Sequence, residues 1–143
     1  MFFSYQYTAQ QQRFRDEFKD WIREFIPDAD TLQKPNRMID VEKKQMIRRD
    51  LGKKGWLAPT DPERLGGAGL SSNHRIVIRE ELNRLGLHSL LCDEAATLRS
   101  AILALDGESY AKQFIHPLAQ GELTVWKQIL NDSHLIDTIN VDF

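Results

Sequence analysis

The sequence predicts an all-α fold, a bundle of about five to six helices with short connections and a short irregular or β-like tail. Large apolar residues recur at spacings of three and four until about residue 120, the period that gives a helix one buried stripe. Glycine and proline fall mostly between these stretches, where they punctuate rather than interrupt. Apolar residues make up 41% of the 143 and charged residues 28%, which suits a packed core and is too hydrophobic for a disordered chain. A chain of this length is expected to form one domain and to bury about two-thirds of its unfolded surface.

The elements follow in order. Phe14, Phe18, Trp21, Ile22 and Phe25 lie on one helical stripe, and Pro27 is expected to end this first helix because the residue before a proline leaves the α region. Residues 28–37, with Pro35 and few large apolar groups, read as a loop. Asp40 is placed to cap a second helix carrying Val41, Met46, Ile47 and Leu51, with Gly52 or Gly55 near its end. Residues 55–69 contain two prolines and four glycines, so a long, shaped connection is expected there. Ser71 or Ser72 then caps a third helix running to about Leu85, with Ile78, Leu82 and Leu85 on its apolar side and Gly86 as its stop. A fourth helix is expected from about Ser89 to Leu105, with Leu91, Ala95, Leu98, Ile102 and Leu105 in register; Asp106-Gly107 breaks it. A fifth, from about Ser109 to Leu118, buries Tyr110, Phe114 and Ile115. Beyond Gly121 the pattern turns strand-like at Val125-Trp126 and in the alternation of Ile139, Val141 and Phe143 with polar neighbours.

Charge and composition exclude several functions. Nineteen basic against 21 acidic residues give a net charge of −2, without the basic excess of a dedicated nucleic-acid binder. Cys92 is the only cysteine, so no intramolecular disulfide framework exists and a cytoplasmic chain is expected. The N-terminal Met1-Phe2-Phe3-Ser4-Tyr5 lacks a basic leader and a signal-length apolar core, and no run is long enough to span a membrane. His74, His88, His116 and His134 are scattered, so no metal site is expected, and nothing positions a histidine and an acid around Cys92 or a serine as a triad. Glu80 and Glu81 would suit a general base only if one were desolvated; neighbouring helical residues diverge by about 100°, and pairing with Arg84 on the surface is the simpler expectation. Lys43, Lys44, Arg48, Arg49, Lys53 and Lys54 could hold a phosphate-bearing ligand, but read more simply as the solvated face of the second helix. Gly66-Gly67-Ala68-Gly69 lacks the lysine and hydroxyl residue of a phosphate loop and follows no strand, so it reads as a turn.

The segments Leu51-Gly52-Lys53-Lys54-Gly55-Trp56-Leu57-Ala58-Pro59, Leu65-Gly66-Gly67-Ala68-Gly69-Leu70-Ser71 and Arg79-Glu80-Glu81-Leu82, in that order, resemble the N-terminal helical domain of acyl-CoA dehydrogenases. Leu65 stands where the family usually has an aromatic residue before the glycine pair. Gly107-Glu108-Ser109-Tyr110-Ala111-Lys112-Gln113-Phe114 and Leu118-Ala119-Gln120-Gly121-Glu122-Leu123 resemble the opening and close of a later helix of that domain. The resemblance covers roughly residues 13–128.

It implies a helical domain over 1–122 and, over 123–143, a tail corresponding to the start of the family's β-domain. Where the family continues with a Ser/Thr-Glu-Pro segment and a glycine-rich turn near the flavin, this sequence reads Ile129-Leu130-Asn131-Asp132-Ser133. The family's β-domain and C-terminal helical domain, which complete the FAD site and supply the catalytic glutamate, have no counterpart in it. The family reaction couples proton removal by a carboxylate to hydride transfer to the flavin, and so needs base and acceptor together. The expectation is therefore no catalytic residue, no bound cofactor and no dehydrogenase activity from this chain alone, with FAD present only where a partner chain completes the site. By position relative to Gly107, Ser89, Leu90, Asp93 and Thr97 would face the acyl group, a polar stripe suited to a short or functionalised acyl chain. The leading expectation is an interaction subunit of a flavin-dependent acyl-CoA or acyl-carrier dehydrogenase, with exposed apolar surface at Trp21, Trp56 or Trp126. Self-association, a stand-alone acyl-thioester-binding module and an inactive truncated remnant are the alternatives.

Overall fold

A computed structural model describes residues 6–29, 39–91, 98–99, 101–104, 111–122, 124–129 and 137–142. The first helix, α1 (Ala9–Arg23), starts at a capping box: the Thr8 hydroxyl accepts from the Gln11 N–H at 3.2 Å, and the Gln11 side chain accepts from the Thr8 N–H at 2.9 Å. Phe14, Phe18, Trp21 and Ile22 are buried along its inner face, while Phe25 lies past the helix end, half-buried against the same core. The helix stops at Arg23, a turn earlier than Pro27 requires.

Helix α2 (Val41–Lys53) is capped by Asp40, whose carboxylate accepts from the Lys43 N–H at 2.7 Å. Ile47 and Leu51 are its buried residues with Gly52, but Val41 and Met46 are exposed. The reason is angular: Ile47 and Leu51 define one face, and Met46, one residue back, points about 100° away from it. The helix closes in a Schellman turn, with Trp56 N–H donating to the Leu51 carbonyl (2.8 Å) and Gly55 N–H to Gly52 (2.9 Å). Gly55 holds φ 71° there, a conformation costly for any side chain with a Cβ.

The connection after Gly55 is shaped as expected, with a 3₁₀ turn at Glu63–Leu65. Helix α3 (Ser72–Arg84) follows, with Ser71 at the N-cap position; the Ser71 hydroxyl pairs with His74 Nδ1 at 2.8 Å instead of capping an N–H. It ends like α2, with Leu87 N–H bonded to Leu82 and Gly86 N–H to Asn83. His88–Leu90 forms a 3₁₀ turn, so Ser89 and Leu90 precede the helical residues 98–99 and 101–104 and do not open an α-helix. Cys92, Ala95 and Leu105 lie outside the described residues. The last helical segment is a π turn, Ala111–Ile115, continued by a short α-helix, His116–Ala119. Pro117 explains the irregularity: it has no N–H to donate and its ring crowds the carbonyl four residues back, which opens the ladder. Tyr110 is outside the described residues; Ile115 is fully buried and Phe114 half-buried.

Helices α1 and α3 pack on each other over a core in which Trp56 is the hub. Its indole stacks on Phe18 (5.5 Å between centroids, 28°) and meets Phe14 and Trp21 edge-on at 5.3 Å each. Ile47, Leu51, Val77, Ile78 and Leu82 complete the layer. Each such buried side chain contributes about 1.5–3 kcal/mol over leaving it exposed. Trp21 and Trp56 are 5% exposed, which corrects the expectation that they offer an apolar surface. The Trp21 Nε1–H instead donates to Asp50 at 2.7 Å, and Lys54 sits 4.9 Å over the Trp56 ring. The exposed large apolar residues found among the described ones are Val41, Met46 and Ile76.

The tail forms an antiparallel ribbon of β1 (Thr124–Ile129) and β2 (Asp137–Asp142), with Val125 opposite Val141 and Lys127 opposite Ile139. The all-α bundle thus carries the expected strand-like appendage.

Candidate functional site

Most of the described glycines that carried the sequence resemblance are points of close contact, Gly69 being the exception with nothing within 4 Å of its Cβ position. A Cβ on Gly52 would lie 2.1 Å from the Gln120 carbonyl oxygen, and one on Gly67 would lie 2.2 Å from that of Asp61. Gly55 abuts Gly67, Gly66 faces Ala119, and Gly121 lies against the Arg48 backbone. Three segments distant in sequence, around Gly52, Gly67 and Gly121, therefore meet in one joint, and the side-chain-free positions let them approach. Packing, rather than ligand contact, accounts for this set of glycines.

The N–H groups of the turn point inward. Gly66 donates to Glu63, Gly67 to Pro62, Gly69 to Asp61 and Leu70 to Pro59, at 2.8–3.2 Å. Phosphates held by a glycine turn need such donors free, so this turn does not fit the diphosphate of FAD. Of the basic residues of α2 and its C-cap, Lys43, Arg49, Lys53 and Lys54 are exposed, as a solvated face requires. Among the described residues no group of His, Cys, Asp and Glu is arranged to hold a metal ion.

Glu81 departs from expectation. It is 4% exposed, and its two oxygens are taken by two guanidiniums: Arg15 Nε at 3.1 Å from Oε1, and Arg84 Nη2 and Nε at 2.9 and 3.1 Å from Oε2. Arg84 also donates to the Ala29 carbonyl at 2.7 Å. Glu80 remains at the surface, accepting from Arg15 Nη2 at 2.5 Å and from the Tyr7 hydroxyl. That hydrogen bond, on the neutral form of the phenol, raises the Tyr7 pKa. Glu81 is buried, as a general base would be, but both of its oxygens face guanidiniums. The cluster ties α1, α3 and the Ala29 turn together. Its partners are 66 and three residues away in sequence, so only the Arg84 contact was visible in the spacing.

A second feature escaped sequence reasoning. A cleft of about 290 Å³ opens between the segment from Trp56 to Pro62, one side of α3, and Leu91, Arg99 and Leu103. Ile78 forms part of its wall, Arg75 and Arg79 line it from α3, and Arg99 Nε is paired with Asp61 Oδ2 at 2.9 Å. The i, i+4 spacing of Arg75 and Arg79 was visible in the sequence; the Asp61–Arg99 pairing, 38 residues apart, was not.

Of the four residues expected to face an acyl group, Ser89 is exposed and Leu90 is 6% exposed within the main core. Asp93 and Thr97 lie outside the described residues, and neither Ser89 nor Leu90 lines the cleft.

Fold and joint together define a class. Residues 8–122 match the family described as acyl-CoA dehydrogenase, N-terminal domain, and the chain belongs to that family, whose association is with FAD-dependent dehydrogenases. The fold is shared with a crystal structure of the ChsE4–ChsE5 complex from Mycobacterium tuberculosis, at a TM-score of 0.62 and 20% identity over 93% of this chain and 33% of that one. The chain thus spans about a third of the length of that relative. No curated protein sequence matches significantly. Among the described residues no helix is long and apolar enough to cross a membrane.

Proposed function

We propose that this chain is a non-catalytic helical subunit of a flavin-dependent acyl-CoA or acyl-carrier dehydrogenase, acting in the cytoplasm with a partner chain that supplies the flavin site and the catalytic carboxylate. The observation that carries the reading is the family match over residues 8–122, combined with a turn whose N–H groups are already spent and a buried carboxylate whose oxygens are already paired. The similar structure is itself described as a complex of two named components.

In this reading residues 1–122 form the helical domain and 123–143 open the β-domain side of the assembly, with the ribbon contributing strands there. Ser89, Asp93 and Thr97 face a short or functionalised acyl group, whereas Leu90 is buried in the main core. The flavin, bound by the partner, would accept the hydride; this chain shapes the acyl side and shields it from water.

Co-expression with a chain carrying the flavin-binding dehydrogenase domains tests the reading. Size-exclusion chromatography should show a joint peak carrying flavin absorbance. Elution of this chain as a monomer beside every such partner would remove the proposal, and tight acyl-CoA binding by that monomer would favour a stand-alone binding module.

A further inference from the structure

We infer that the outward faces of α1 and α2 form a docking pair between two copies of this chain, the α1 face of one copy lying alongside the α2 face of the other. Neither the acyl-facing residues nor the tail takes part, so the contact stands apart from the subunit reading.

Charge and register together select the second copy. From Val41 to Lys54 six basic side chains stand against two acidic ones, in a chain whose net charge is −2. A net +4 on this short stretch leaves −6 for the rest of the molecule, so each copy carries both signs on separate surfaces. On α1 the outermost row is Arg13, Asp20 and Glu24, the last at the C-cap; on α2 it is Glu42, Arg49 and Lys53. All six are exposed. Both rows run seven residues and then four, which at about 100° per residue keeps each within about 40° on its helix. Each lies opposite the buried stripe, Phe14, Phe18 and Ile22 on α1 and Ile47 and Leu51 on α2. Position by position the signs are opposed: Arg13 with Glu42, Asp20 with Arg49, Glu24 with Lys53. Two parallel helices laid row to row therefore bring three opposite pairs together along about 16 Å. The same setting of α1 on α1, or α2 on α2, puts like charges face to face, which disfavours those pairings. Asp20 has Arg23 beside it; among the described residues the other five have no ion-pair partner in their own chain. Met46, 56% exposed on the flank of the α2 row, supplies apolar contact for the hydrocarbon stems of facing side chains. Exposed ion pairs are individually weak and screened by salt, so the association is weak, concentration-dependent and reversed by salt.

Sedimentation velocity of the full chain, over a concentration series into the millimolar range, tests this. The weight-average mass should rise with concentration at low salt and return to that of the monomer at about 1 M salt, where the screening length is about 3 Å. R49E/K53E and D20K/E24K should each stay monomeric at low salt. An equimolar mixture of the two should associate again, because each reversed row then meets an opposite row in the other variant. All four residues are exposed, so both variants should melt with the wild type, and K53E and E24K alone serve if either does not. Association undiminished at 1 M salt, a single variant that associates like the wild type, or a mixture that stays monomeric would each overturn the inference. So would a wild type that is monomeric at every concentration; loss of co-elution with a flavin-bearing partner on R49E/K53E would then assign the α2 row to that partner.

Discussion

Replacing Gly52 by alanine tests the joint on which the fold depends. On an exposed helix this change is favourable by roughly 0.5–1 kcal/mol, because glycine loses more backbone entropy than alanine. Here the new Cβ would lie 2.1 Å from the Gln120 oxygen, 2.2 Å from its carbonyl carbon and 2.6 Å from its Cα. All three are backbone atoms, so no side-chain rotation relieves the clash. Ordinary contact begins near 3.4 Å, and either α2 or the turn after His116–Ala119 must retreat by about 1.3 Å. Overpacking of this kind costs about 1–3 kcal/mol or more. Because the clash is with rigid backbone, the upper part of that range applies, and after the propensity gain a net loss of about 2 kcal/mol remains. For a chain of this size that lowers the melting temperature by roughly 6–10 °C. Gly69→Ala is the control: nothing lies within 4 Å of its Cβ position, although its φ is +60°, so it carries only the left-handed strain of about 1–2 kcal/mol, which Asn at the same position should largely relieve. The assay is thermal unfolding followed by circular dichroism. A Gly52→Ala protein that melts at or above the wild type would refute the close approach of α2 to Gln120.

Two further predictions concern the α1–α3 contact. Glu81→Gln leaves two guanidiniums facing a neutral amide and should cost about 2–4 kcal/mol in urea unfolding, somewhat under the loss for a fully buried pair because Arg84 is partly exposed; Glu80→Gln, at the surface, should cost ~1 kcal/mol or less, and equal losses would contradict the assignment. The Tyr7 hydroxyl donates to Glu80, which raises its pKa above the usual 10.0. A raised folded-state value means that its contribution is complete below pH 10 and disappears as pH climbs through the folded pKa. The melting temperature of wild type relative to Tyr7→Phe should therefore hold steady from pH 7 to 9 and converge above 10; convergence below pH 9 would reverse the sign.

The fold was legible where the signal was local. Phe14, Phe18, Trp21 and Ile22 announced the buried face of α1 by their spacing, Asp40 announced the start of α2, and Gly55 and Gly86 announced two helix ends, because periodicity and capping depend on near neighbours. Contacts across the chain were not legible. Nothing in Glu81's surroundings foretold Arg15, and an adjacent acidic pair looked like solvent-facing charge until α1 closed over it. Apolar identity alone also misled at Val41 and Met46, which sit off the Ile47–Leu51 face, and at Trp21 and Trp56, whose bulk serves the core. The π turn at Ala111–Ile115 had a visible cause in Pro117, but periodicity does not report how a ladder accommodates a missing donor. The glycine-rich segments around Gly52, Gly67 and Gly121 are where the backbone crosses itself at close range.

In the proposed role this chain completes a dehydrogenase whose flavin and base reside elsewhere. Its most direct test is anaerobic reduction of flavin by an acyl-CoA, followed by absorbance, in the partner preparation with and without this chain. Bleaching is expected only when both chains are present, and none from this chain incubated with FAD alone. Stoichiometric FAD binding and acyl-CoA-dependent bleaching by this chain by itself would contradict it.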